Sequence, residues 1–376
     1  MVILVSLRTL DCQFEGASTI LLWTSPFQHL NHIQLRYFQN YHINMGLHTK
    51  KDQDTSGIVP TVGKIKCSQF YNTWKGHPLA DLAALQATAT RQRPNKPVIY
   101  LVGDSSLDNK YWVSSLIPDS TQEDRYRVPT STSQSTSQFV TIPELYASVL
   151  DKPRPKPDVA FWLNHYIGKH ATAINAALEE SMLRERDSGL LEHDLFVRDR
   201  IRSNDILIVS VGANDIALRP TTSTMFHMAQ LAWLTPHSLI ESGHAPSLRY
   251  FKKLFGDQIK AYVERIVEKQ KPKAIVICMI YYPLEAAAGQ QSWADMQLKA
   301  LGYNRWPGQL QAAIRQMYKQ ATQEIKIEGT TVVPCALYEV MDGTNPDEYT
   351  ARVEPNAEGG RKMARKFEGL LRPYLE

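Results

Sequence analysis

The sequence predicts an α/β domain built on a mainly parallel sheet covered on both faces. Two observations carry this. Short runs of consecutive apolar residues, the mark of strands buried on both faces, recur at 97–102, 205–211, 274–280 and 330–335. Between and after them lie segments with apolar residues at spacings of three and four, the mark of amphipathic helices. Strand and helix signals in alternation describe parallel strands joined by crossover helices.

Each strand run ends where a parallel strand should. Pro97-Val-Ile-Tyr-Leu-Val102 stops at Gly103, and Asp205-Ile-Leu-Ile-Val-Ser-Val211 stops at Gly212. Ala274-Ile-Val-Ile-Cys-Met-Ile280 is a third run, and Thr330-Thr-Val-Val-Pro-Cys335 a shorter fourth. The helical stripes are Phe255, Ile259, Tyr262 and Ile266, closed by Pro272; Leu310, Ile314, Met317 and Ala321; and Met363, Phe367 and Leu370.

The chain has 376 residues, 43% of them hydrophobic, enough to bury a sizeable core. Its 42 basic and 38 acidic residues leave a net charge of +4, spread along the chain, which gives no argument for nucleic acid as a partner. The four cysteines form no C-x-x-C pair. Zinc and thioredoxin readings therefore have no support, and no metal or cofactor is expected. Cys278 and Cys335 fall inside apolar runs and read as buried thiols.

The start, MVILVSLRTLDCQFEGASTILLW, has no basic segment before its apolar residues and no small-residue cleavage site, which does not favour a signal peptide. No stretch approaches the ~18 uncharged apolar residues that span a bilayer. A soluble, cytoplasmic protein is the expectation, with its oligomeric state unread. Residues 1–65 show neither period and read as a poorly ordered N-terminal extension, so the domain is placed at 66–376. Within it, 117–157 reads as a surface insertion, with the polar run 130–138 and the proline-rich Lys152-Pro-Arg-Pro-Lys-Pro157.

In an open parallel sheet, ligands bind at the carboxyl ends of the strands, and four segments there bear chemistry. In Gly103-Asp104-Ser105 the glycine permits a turn closed to other residues. Such a turn exposes the serine hydroxyl and can aim the Ser105 amide at an oxyanion; the plainer reading is a helix cap. In Gly212-Ala213-Asn214-Asp215 the Asn214 carboxamide can donate into the same cleft, or simply close an Asx-turn. Asn175, in Ala173-Ile-Asn-Ala-Ala-Leu-Glu-Glu-Ser181, precedes an expected helix start; an amide of that turn can complete an oxyanion hole, and an ordinary N-cap is the equal alternative. In Val353-Glu-Pro-Asn-Ala-Glu-Gly-Gly-Arg361, Pro355 forces Glu354 to be extended and Asn356 caps the final helix.

In this order the four segments resemble the SGNH (GDSL-type) hydrolase family, from about Val98 to Leu371. Gly103-Asp104-Ser105 matches the first block, in which serine is the nucleophile, and Gly212-Ala213-Asn214-Asp215 matches the third, G-x-N-D. Asn175 lies in a segment similar to the second block, with Glu180 standing where the family carries glycine. The resemblance implies a flavodoxin-like three-layer α/β/α sandwich and ester hydrolysis by Ser105 on a small-molecule ester. The oxyanion would be held by the Ser105 amide, Asn214 and an amide near Asn175 to Glu180.

The C-terminal segment resembles the family's terminal D-x-x-H-P block but departs from it. Ala351 stands at the aspartate position and Glu354 at the histidine position, and a serine without a base is a poor nucleophile. Glu354 itself can be the base: its ordinary pKa of ~4.3 is low for the task, burial would raise it, and pairing with Arg352 would lower it. A histidine from elsewhere is the second reading: His165 first, with His170, then His77. The third is a cleft that binds an acyl or carbohydrate ligand without hydrolysis, and a structural scaffold is the blandest. A slipped alignment is discounted, since no His-Pro pair follows Asn214. Tyr111, Trp112, Trp162, Tyr281 and Tyr282 are either cleft lining or core.

Overall fold

The structure, a computed structural model, describes residues 54–122, 124–129 and 138–375, all within one compact unit, His48–Glu376. Five strands form its central sheet: β1 (Val98–Gly103), β2 (Thr172–Asn175), β3 (Ile206–Ser210), β4 (Ala274–Met279) and β5 (Thr331–Ala336). Every neighbouring pair is parallel, in the order β2-β1-β3-β4-β5. Strands β1 to β4 are buried at every position. β5 is an edge strand and is partly exposed, so Pro334, which lacks an N–H, is tolerated there.

The helices that cover the sheet are α1 (Leu79–Gln92), α2 (Val159–Ile167), α3 (Glu192–Arg198), α4 (Thr222–Ala229), α5 (Ile259–Ile266), α6 (Pro307–Gln320) and α7 (Ala357–Leu371). Parallel crossovers are right-handed. The chain steps from β1 to β2 in one direction and from β2 through β3 and β4 to β5 in the other. Handedness therefore puts α2 on one face and α3, α5 and α6 on the opposite one. In keeping with this, α7 packs on α2 and α5 packs on α3. The result is a three-layer α/β/α sandwich. The direction of winding reverses between β1 and β3, so the crevice of the sheet opens at the carboxyl ends of those two strands.

Some elements differ from the sequence reading. β2 replaces the expected helix start at Asn175; a four-residue strand containing one β-branched pair and an asparagine has too little pattern to stand out. The 117–157 stretch is more than a surface loop. Ile117–Pro118, Tyr126–Arg127 and Phe139–Val140 form an antiparallel sheet. The helix Glu144–Val149 follows and buries Leu145, Tyr146 and Val149. The polar run at 130–137 lies outside the described residues, as do residues 1–53.

Residues 54–65, assigned above to the extension, lie against the domain. Thr55 Oγ1 donates to Asp199 Oδ2 at 2.7 Å, and Arg200 Nη2 donates to Thr55 O at 2.6 Å. Ile65 is buried and exchanges backbone bonds with Val149 and Asp151. Cys67, Cys278 and Cys335 are buried free thiols. Among the described residues no helix is long and apolar enough to cross a membrane, and no group of three or more His, Cys, Asp or Glu is placed to hold a metal ion.

Candidate active site

Two glycines shape the turns at the crevice. Gly103 has φ +131°, and a Cβ there would lie 1.7 Å from the Ser210 carbonyl oxygen. Only glycine lets β1 end this close to β3. Gly212 has φ +112° and opens the short helix Ala213–Ala217, with Asn214 in its first turn.

Asp104 anchors the first turn. Its N–H donates to Ser210 O, and its Oδ1 accepts from the Ser106 amide at 3.1 Å and contacts the Ser106 hydroxyl at 2.7 Å. Ser106 Oγ also meets Ser210 Oγ at 2.6 Å. Burial pushes the Asp104 carboxyl up to about 6, against the pull of Ser106. The turn is thus held through its first and third residues, and Ser105 between them lines the cavity at the crevice.

The segment after β2 is wired to both neighbours. Leu178 N–H and Ser181 Oγ donate to Gly103 O. Asn214 Nδ2 donates to Ser181 O at 3.1 Å, and Asp215 accepts the Leu183 and Arg184 amides. One hydrogen of the Asn214 carboxamide is therefore committed to fixing the group, and Asn214 shares the cavity wall with Ser105. Glu180 has φ +59°, a left-handed conformation rare outside glycine, at the position where the resemblance puts a glycine. Its side chain pairs with Lys75 at 3.3 Å.

Glu354 arrives from the far end of the sequence. It pairs with Thr350 in a small antiparallel bridge, extended as Pro355 requires. Four bonds set its segment: Tyr281 Oη donates to Val353 O at 2.6 Å, Asn109 Nδ2 to Pro355 O at 3.0 Å, and Asn356 caps α7 by accepting from the Glu358 and Gly359 amides. Ala351 and Arg352 both have positive φ, and buried Arg352 holds the bend by donating to Leu284 O, Asp295 Oδ1 and Asn304 Oδ1. Arg352 therefore does not draw the Glu354 carboxyl down.

The Glu354 side chain is 2% exposed and lies on the cavity wall beside Ser105. Trp293 Nε1 donates to Oε1 at 3.2 Å, while Oε2 is buried without a hydrogen-bond partner. Burial pushes the carboxyl up to about 8; the hydroxyl of Ser105 and the Trp293 indole oppose the rise, and the charges of Asp104 and Glu180 add to it. Glu179 is a second buried carboxyl in the same group, raised by burial and then by Glu354. Its amide donates to Asp108 Oδ2, and Trp112 Nε1 donates to its Oε1 at 3.3 Å. Asp108 is ion-paired with fully buried Lys110 at 2.6 Å.

The structure thus brings Ser105, Asn214 and Glu354 to one cavity. Asn175 is close by but engaged: its Nδ2 donates to Leu107 O and its Oδ1 accepts from Ala177. His165 is not brought to the site, which corrects its candidacy as a displaced base. It stands in the last turn of α2, which leads into β2, and so belongs to the amino edge of the sheet, opposite the crevice; it packs against Phe161, Trp162 and Tyr166. His170, two residues before β2, lies at the same edge. His77 is buried against Phe70, with Nδ1 2.9 Å from Phe70 O. Of the aromatics, Tyr281 lines the cavity and Trp162 is core.

Sequence reasoning missed Glu179 and Trp293. Two adjacent acids just past a strand end were a usable signal for Glu179. Trp293 lies in a segment with no period and carries no sequence signal.

No protein-family model matches this chain, and no curated protein matches it. Among solved structures the chain is similar to phospholipase A1 from Streptomyces albidoflavus NA297, at 9% identity and TM-score 0.38, over 74% of this chain and 99% of that one. It is also similar to a peptidoglycan O-acetylesterase, at 8% identity and TM-score 0.34, over 78% and 95% of the two chains. Likenesses this distant carry no functional argument.

Proposed function

We propose that the cavity is an acyl-transfer site and that the protein is an SGNH-type ester hydrolase with Ser105 as nucleophile. The observation that carries this reading is the buried Glu354 carboxyl beside the Ser105 hydroxyl, on a wall shared with Asn214. Ser105 Oγ attacks the ester carbonyl carbon and its proton passes to Glu354. The oxyanion is met by the free Nδ2 hydrogen of Asn214 and by the amides of Ser105 and Glu180. The intermediate then collapses: the bond to the leaving alkoxide breaks, and Glu354 returns the proton to it. Water repeats the sequence on the acyl-enzyme and frees the acid.

A carboxylate with its ordinary pKa is a weak match for a serine proton. Held near 8, it becomes a stronger base, and the catalytic form is the ionised one. Activity therefore rises with pH until Glu354 is fully ionised. The test is labelling with a fluorophosphonate probe from pH 6 to 9.5. Labelling that grows with pH and vanishes in Ser105→Ala supports the reading; absence of labelling across the range overturns it.

The protonated carboxyl favours a second reading at neutral pH. A neutral Glu354 donates a hydrogen bond instead of accepting a proton, which suits a cleft that holds an acyl ligand without turnover.

A further inference from the structure

We infer that the ligand class of this cavity is an extended acyl chain, not an acetyl group or a sugar. The inference rests on the acyl-transfer reading for its chemistry but on separate residues for its support. The cavity runs from Ser105 and Glu354 to Ile314 and Met317, more wall than an acetyl group can touch. Away from Ser105, Asn214 and Glu354 its wall is apolar, with Met228, Leu231, Phe251, Phe255, Ile314 and Met317 contributed by helices on one side of the sheet.

Two of these side chains stand on π-helical turns, Leu231 within Gln230–Leu234 and Phe255 within Lys253–Gln258. Such turns are rare and concentrate at functional positions. Each widens the helix and shifts the side chains that follow. Gln309 is the polar exception in this part of the wall: its Nε2 is spent on Leu231 O and Thr235 O, binding α6 to the turn after α4, and its Oε1 is one buried acceptor in an otherwise hydrocarbon wall. The Tyr281 hydroxyl is likewise spent, on Val353 O. A sugar could give one hydroxyl to Gln309 Oε1 and would leave the rest facing carbon, which disfavours it. A hydrocarbon chain meets what it needs, and burying each methylene should raise kcat/KM about fourfold until the cavity is full.

The experiment has two arms on the full chain. In the first, binding of dodecanoate to Ser105→Ala is followed by titration calorimetry, with acetate as control. In the second, turnover of p-nitrophenyl esters from acetate to dodecanoate is measured. Ala313→Trp and, separately, Ala232→Leu fill the cavity from two helices, and thermal melting confirms that each variant folds.

Saturable dodecanoate binding that either filling variant weakens at least tenfold supports the inference, whether or not esters are turned over. A rise in kcat/KM with chain length, cut back by the same variants, supports both the inference and the hydrolase reading. Acetate turnover with a flat chain-length profile and no dodecanoate binding overturns the inference and leaves the hydrolase standing. Neither binding nor turnover removes both.

Discussion

Trp293 donates its indole N–H to one oxygen of Glu354, while the other oxygen is buried with no partner. Burial of this acid governs how the protein should respond to pH.

Stability should fall as pH rises from about 4.5 to about 8. The folded carboxyl of Glu354 is pushed up to about 8, whereas the unfolded one ionises near the ordinary value. Between these limits the unfolded chain binds fewer protons than the native one, so unfolding becomes easier with each pH unit. Glu354→Gln keeps the shape without the ionisation. It should match the natural chain at pH 4.5 and exceed its stability at pH 8, by on the order of a few kcal/mol. Chemical denaturation at the two pH values checks this; an equal effect at both denies the shift.

Activity should respond in the opposite sense. Trp293→Phe removes a bond that favours the ionised carboxylate, so the rising limb of the labelling profile should move to higher pH. A merely structural Trp293 would lower the amplitude and leave the midpoint in place. The rate of fluorophosphonate labelling against pH separates the two.

Gly103→Ala should cost on the order of 4 kcal/mol or more, because a methyl group cannot stand 1.7 Å from the Ser210 carbonyl and both atoms belong to backbone. Denaturant unfolding reads it directly. A cost under about 1 kcal/mol would mean that β1 and β3 can separate at the crevice.

A chain beginning at residue 66 should be roughly 2–5 kcal/mol less stable than one beginning at residue 54. The loss comprises the burial of Ile65 and the bonds of Thr55 to α3 and Arg200. Melting of the two shortened chains decides where the domain starts.

Much of the scaffold was legible because local pattern and tertiary demand agree there. β1, β3 and β4 are almost wholly apolar since both faces are covered, and the glycines that close β1 and follow β3 mark turns that no other residue makes. The extended Glu354 and the Asn356 cap follow from proline and asparagine chemistry within a few residues. β2 was not legible: four residues, two of them alanine and asparagine, lean on β1 for their conformation. Glu179 and Glu354 illustrate a different limit. Their carboxyls are unusual only because distant segments bury them, and no window of sequence contains that burial. The edge on which His165 stands could have been read, since a residue in the last turn of a helix leading into a parallel strand must lie at the strand's amino end.

The amide of Asn109 reaches the carbonyl of Pro355 across a sequence separation of 246 residues. The pocket is thus a late product of self-assembly: a nascent polypeptide that has already formed β1 and its turn still lacks one whole side of the chamber. Any chemistry performed there is withheld until the tail has docked, so a half-made copy inside a cell has no means of acting early.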